Sequence, residues 1–124
     1  MTVAMDILVV DDSRIMRIML QRAIRQAGYR DLDVAEAENA KQAMEKLRGV
    51  KPRLILSDWN MPEMTGLDFL KQIREAENEV PFGFVTSEAS VEMRALALSS
   101  GALFMLSKPF TPDDIREVIS PILD

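Results

Sequence analysis

The sequence has no cysteine and no histidine. The first absence removes disulfides, thiol nucleophiles and zinc–thiolate sites. The second removes the usual general base and the commonest transition-metal ligand. Positive charge is in the minority, 15 lysines and arginines against 20 acids, for a net charge of −5. An acidic surface of that kind argues against nucleic acid as the main partner. No apolar stretch reaches the length of a bilayer span. The opening residues MTVAMDILVV lack the basic flank and long apolar run of a secretory leader. The expected location is therefore the cytoplasm, with no membrane partner. Carboxylates, hydroxyls and lysine are what remains for any chemistry.

What is present is an ordinary globular composition, 48% hydrophobic and 28% charged over 124 residues. That suits one domain, 1–124, whose core needs no disulfide or structural metal. Short apolar runs alternate with longer amphipathic ones. DILVV (6–10) is β-branched and nearly continuous, as a strand covered on both faces should be. Ser13 caps a helix in which Met16, Met19, Leu20, Ala23, Ile24 and Ala27 recur at helical spacing, with Arg14, Arg17, Gln21 and Arg25 opposite. Gly28 closes it. DVAEA (33–37) is a weak strand. Asn39 caps a second helix with Ala43, Met44 and Leu47 inward, ending near Gly49 and Pro52. RLILS (53–57) is a strong strand, and Leu67, Leu70 and Ile73 mark a third helix. FGFVT (82–86) is a strand that Gly83 weakens. A fourth helix covers 91–99 and stops at Gly101; LFMLS (103–107) is the last strand. Thr111-Pro112-Asp113-Asp114 combines a cap, a first-position proline and acids at the positive helix end. It starts a fifth helix with Ile115, Val118, Ile119 and Ile122 inward and Pro121 ending or kinking it.

Five strand–helix units imply an α/β fold, a doubly wound parallel sheet with five helices on its two faces and right-handed crossovers. The flavodoxin-like strand order 2-1-3-4-5 is carried over from folds of this kind; the residues alone do not dictate it. Five polar residues then fall at strand carboxyl ends, where open α/β sheets bind ligands. Asp11 and Asp12 follow the first strand, Asp58 the third and Lys108 the fifth, while Thr86 ends the fourth. With the first and third strands adjacent, roughly 4.8 Å apart, Asp12 and Asp58 face one another. Two such carboxylates repel by about 4 kcal/mol at 4 Å and an effective dielectric of 20. Three together need a proton or a cation, and hard oxygen ligands with open positions suit Mg²⁺. Lys108 lies two strands from Asp58, about 10 Å, much of which its stem can span. A cation, a hydroxyl and an ammonium around one carboxylate would stabilise a transferring phosphoryl group, with Asp58 as nucleophile.

The segments VVDDS (9–13), DWNMPEMTGLDFL (58–70), VTSEA (85–89) and SKPFT (107–111) resemble the response-regulator receiver family, specifically its stand-alone chemotaxis, CheY-like members. The resemblance covers the whole chain. It implies a two-component switch in which Asp58 is the phosphoacceptor and Thr86 and Lys108 hold the phosphoryl oxygens. Mg²⁺ would be bound by Asp12, Asp58 and the carbonyl of Asn60, with Asp11 acting through water. Asn60 and Glu88 would influence the phosphoryl lifetime. The resemblance also implies a cis peptide between Lys108 and Pro109. Its implied partners are a sensor histidine kinase or phosphotransfer protein as donor and a downstream protein target, such as the flagellar motor switch. The output face would be the fourth helix, fifth strand and fifth helix, including Met93, Arg94 and Met105. One departure stands out. Met105 occupies the switch position usually held by Tyr or Phe, and the aromatic is displaced to Phe104, on the other face of the strand.

Two other classes compete. A Mg²⁺-dependent phosphohydrolase with an aspartate nucleophile typically carries Asp-x-Asp there, whereas Asp58 is followed at that place by Asn60, and no residues remain for a substrate cap. A non-phosphorylated interaction module on the same scaffold has no need of the full acidic set. Taken singly, Asp11-Asp12 can be a helix-capping turn and Lys108-Pro109 a strand exit. Trp59 is expected to neighbour the site rather than act in it, and Met16, Met19 and Met44 to fill core space.

Overall fold

The computed structural model describes residues 5–124. Residues 1–4, part of the stretch read above for a leader, lie outside the described residues. Strands β1 (Ile7–Val10), β2 (Val34–Ala37), β3 (Leu54–Ser57), β4 (Phe82–Thr86) and β5 (Phe104–Ser107) alternate with five helices. These are α1 (Arg14–Gln26), α2 (Ala40–Lys46), α3 (Gly66–Glu75), α4 (Val91–Ser99) and α5 (Pro112–Leu123). The strands form one sheet in the order β2-β1-β3-β4-β5, and every pairing is parallel.

Strand side chains alternate between two cores, as the two-residue period requires. Ile7, Val9, Leu54, Leu56 and Val85 pack with Leu20, Ile24, Ile115 and Ile119 of α1 and α5. Leu8, Val10, Ile55, Phe82, Phe84 and Met105 pack on the other face with Ala43, Phe69, Leu70, Ile73 and Ala97 of α2, α3 and α4. Each helix begins where a short polar side chain accepts a hydrogen bond from the first turn: Ser13, Asn39, Thr65, Ser90 and Thr111. Thr111 and Asp114 complete a reciprocal capping box.

Three expectations are corrected. The inward stripe of α1 includes Arg17, 6% exposed, while Met19 is 47% exposed. Arg17, Leu20 and Ile24 share the buried side of the helix, and Arg17 finds hydrogen-bond acceptors beneath it. Second, α5 neither ends nor breaks at Pro121 but runs to Leu123. It sits in the last turn, where its missing N–H removes a single bond. Third, Gly83 does not simply weaken its strand. It pairs in register with Phe104, and a Cβ there would sit 2.1 Å from the Phe104 ring. The displaced aromatic covers the glycine on the α1/α5 face, while Met105 lies on the opposite face beneath α4.

Candidate functional site: an acidic cluster at the carboxyl edge of the sheet

The register brings the site together. Val10 pairs with Ser57, so the next residues, Asp11 and Asp58, leave β1 and β3 level with each other. Asp11, rather than Asp12, is therefore the direct neighbour of Asp58; Asp12 joins from the following turn. Carboxylate oxygens of Asp11, Asp12 and Asp58 lie within 4.8 Å of one another. Asp11 and Asp58 are buried, and Asp12 is exposed.

Lys108 crosses the intervening strands. Its Nζ lies 3.0 Å from Asp11 Oδ2 and 3.3 Å from Asp58 Oδ2. The peptide between Lys108 and Pro109 is cis. Three carboxylates and one ammonium leave two negative charges uncompensated at the mouth of the cluster. That charge, the all-oxygen donor set and an exposed edge at Asp12 fit a hard divalent cation.

The phosphoacceptor candidate is also held by backbone. Asp58 Oδ1 accepts from the Trp59 N–H at 2.7 Å and the Asn60 N–H at 3.4 Å. Asn60 itself is exposed, beside the cluster. The loop from Asp58 returns through a hydrogen bond from the Gly66 N–H to the Trp59 carbonyl, 2.7 Å. The return is so close that a Cβ on Gly66 would lie 2.1 Å from the Asp58 carbonyl oxygen. Trp59 is partly buried, its ring 4.9 Å from that of Phe84, which makes it a packing neighbour of Asp58. Thr86, fully buried, ends β4 with its hydroxyl facing the Glu88 N–H at 3.4 Å. The Lys108 N–H donates to the Thr86 carbonyl at 2.9 Å, tying the two strand ends together.

Of the residues assigned to output, Arg94 is exposed and Met93 partly buried on α4. Met105 is only 5% exposed, so it is not available as a contact residue; it fills space under α4. Its carbonyl accepts from Arg94 Nη1 at 3.0 Å, which ties α4 to β5.

Residues 7–120 match the response regulator receiver domain family. The chain belongs to that family. It is 39% identical to the chemotaxis protein CheY1 of Helicobacter pylori strain J99, over 96% of this chain and 97% of that relative. It is 34% identical to the chemotaxis protein CheY of Thermotoga maritima, over 94% and 95% of the two chains. The crystallised chemotaxis protein CheY4 of Vibrio cholerae superposes with a TM-score of 0.84 at 32% identity, covering 98% of this receiver and all of that chain. This is a CheY-like receiver, a signalling domain of the two-component type. No helix among its described residues is long and apolar enough to cross a membrane.

One element of the site has no counterpart in the sequence reading. Arg17 Nη1 donates to the Asp11 carbonyl at 2.6 Å while Nε donates to Glu36 at 2.9 Å. The available signal was its position, one helical turn after the Ser13 cap and six residues after Asp11, although the hydrophobic pattern sets it opposite the apolar stripe.

Proposed function

We propose that this receiver is a phosphorylation-dependent switch in the cytoplasm, charged on Asp58 by a sensor histidine kinase or phosphotransfer protein. An Asp58 oxygen attacks the phosphorus of a phosphohistidine, the O–P bond forms as the N–P bond breaks, and the leaving imidazole takes its proton from solvent. Asp11, Asp12, Asp58 and the Asn60 carbonyl would hold Mg²⁺, which when bound neutralises charge on the transferring group. Lys108 then supplies a second positive charge, already aimed at Asp58, and the Thr86 hydroxyl a hydrogen bond to a phosphoryl oxygen. The domain catalyses only its own phosphorylation and dephosphorylation. Its output runs through α4, β5 and α5, with Met93 and Arg94 at the surface and Met105 beneath, to a protein target such as the flagellar motor switch. Similarity to chemotaxis proteins supports that choice of pathway.

The observation that carries the proposal is the position of Asp58, within 4.8 Å of two further carboxylates and 3.3 Å from an ammonium. The test is intact mass after incubation with acetyl phosphate and Mg²⁺. One base-labile phosphoryl addition is expected, absent without Mg²⁺ and absent in Asp58→Asn. Undiminished labelling in that variant refutes the assignment, and steady hydrolysis of small phosphoesters would favour a phosphohydrolase instead.

A further inference from the structure

Arg17 is a buried cation on a helix whose sequence pattern puts it on the wet side. Its side chain is 7% exposed and makes two strong contacts, one to the Asp11 carbonyl and one to Glu36 of β2. Glu38 stands at the edge of ion-pair range, 4.0 Å. Burying an arginine is costly unless its bonds are met, and a buried ion pair is by itself a poor source of stability. Glu36 is 40% exposed at its side chain, so it keeps access to water with or without its partner. The contact with a specific consequence is the one to Asp11.

The turn after β1 is pinned at Asp11 from four sides. Its N–H donates to the Ala37 carbonyl at 3.1 Å, and its carbonyl accepts from Arg17 at 2.6 Å. One carboxylate oxygen accepts from the Ser13 N–H at 2.9 Å, and the other pairs with Lys108 at 3.0 Å. Asp12, by contrast, is exposed, and its place follows from the backbone that carries it. A peptide unit is planar, so the Asp11 carbonyl and the Asp12 N and Cα lie in one plane. A guanidinium that fixes the carbonyl oxygen therefore fixes where the Asp12 carboxylate starts. Glu36, on the edge strand β2, holds that guanidinium in turn. The chain of contacts runs from β2 through Arg17 and one peptide plane to the exposed corner of the acid cluster.

We propose that Arg17 is a positioning residue for the cation site, orienting Asp12 through the Asp11–Asp12 peptide. The proposal rests on the reading that the three carboxylates hold a divalent cation. Outer partners of this kind typically change metal affinity by 10- to 100-fold. The planar fork of arginine matters because two acceptors must be held at once, which one ammonium cannot do in the same geometry.

The test is calorimetric titration with MgCl₂ of the wild type, Arg17→Met, Arg17→Lys and, as a control in the α1/α5 core, Ile119→Val. Thermal melts and acetyl phosphate labelling accompany it. Arg17→Met is expected to raise the Mg²⁺ dissociation constant about tenfold, by the lower bound of the outer-partner effect. Its labelling rate is expected to return to within about twofold of wild type at saturating Mg²⁺, since the reacting groups are intact. Arg17→Lys is expected to fall between, and Ile119→Val to melt earlier with unchanged Mg²⁺ affinity. If Arg17→Met melts earlier but binds Mg²⁺ like wild type, Arg17 is merely structural and the proposal fails. Should Arg17→Met not fold, Arg17→Lys decides: a weakening of about threefold supports the proposal, and wild-type affinity overturns it. No Mg²⁺ binding by the wild type would remove the cation site itself, and the proposal with it.

Discussion

Gly66 is the position where backbone packing and chemistry meet. A methyl group there would sit 2.1 Å from the Asp58 carbonyl oxygen, 3.1 Å from its carbon and 2.9 Å from the Phe84 ring, where contacts under 3.0 Å essentially do not occur. The obstacle is the backbone of Asp58, the proposed phosphoacceptor, flanked by a fully buried ring, so neither neighbour can swing into solvent. Gly66→Ala must therefore push the Asp58 backbone aside by roughly 1 Å, and misplacement on that scale can cost about 100-fold in rate. The overpacking itself costs about 1–3 kcal/mol, or on the order of 4–12 °C in melting temperature for a domain of this size. Gly83→Ala is the matched control. Its Cβ would meet the Phe104 ring at 2.1 Å, an equally short contact but with a half-buried side chain rather than backbone. It should lower the melting temperature while leaving phosphoryl uptake within about twofold, being on the other side of the sheet from the loop that carries Asp58. The assay is the time course of acetyl phosphate labelling at saturating Mg²⁺, followed by intact mass, with a melt of each variant. Wild-type labelling kinetics in Gly66→Ala would refute the account of how this loop is held.

Two further outcomes follow from the site and the sheet. Lys108→Met removes the ammonium shared by Asp11 and Asp58, so the metal-free variant should melt earlier and Mg²⁺ should raise its melting temperature by more than it does for wild type; at 100 times the dissociation constant binding contributes about 2.7 kcal/mol, and a smaller rise than wild type's would contradict the exchange of one cation for another. Met105→Ala empties a buried site under α4 and should cost about 2–5 kcal/mol, with target affinity measured with and without phosphorylation falling in its ratio, and with Met105→Tyr restoring or increasing that ratio; an unchanged ratio in both variants would exclude Met105 from the coupling.

The fold was legible because most local signals agreed with the global one. The strands RLILS and FGFVT are continuous apolar runs, and each helix start carries its capping side chain, so local and global preferences coincide. The convergence of Asp11, Asp12, Asp58 and Lys108 was legible for a simpler reason: in a parallel sheet all strand ends of one kind lie at one edge. What the sequence left open was register and rotation. β1 and β3 are apolar on both faces, so polarity does not tell whether Asp11 or Asp12 is level with Asp58, and the hydrogen-bonded ladder decides for Asp11.

The rotation of α1 is the more instructive case. Hydrophobic periodicity favours Met19 inward and Arg17 outward, because the pattern counts side-chain polarity and ignores what lies beneath the helix. Beneath Arg17 lie a backbone carbonyl at 2.6 Å and a carboxylate at 2.9 Å, both of which accept from its guanidinium. A methionine there would leave the Asp11 carbonyl short of its partner, and a buried acceptor without one costs about 1–3 kcal/mol. Exposing Met19 costs no more than the burial it forgoes, about 1.5–3 kcal/mol for a fully buried side chain and less for one still half-covered. The two quantities are close, so stability alone does not strongly set the rotation of α1. What the observed rotation does secure is a fixed Asp11–Asp12 peptide beside three carboxylates that repel one another. A turn carrying like charges at that spacing would relax outward if held only by its own backbone. On the positioning role proposed above, the guanidinium resists that relaxation together with the Lys108 ammonium, and it does so from a helix that also packs against β1.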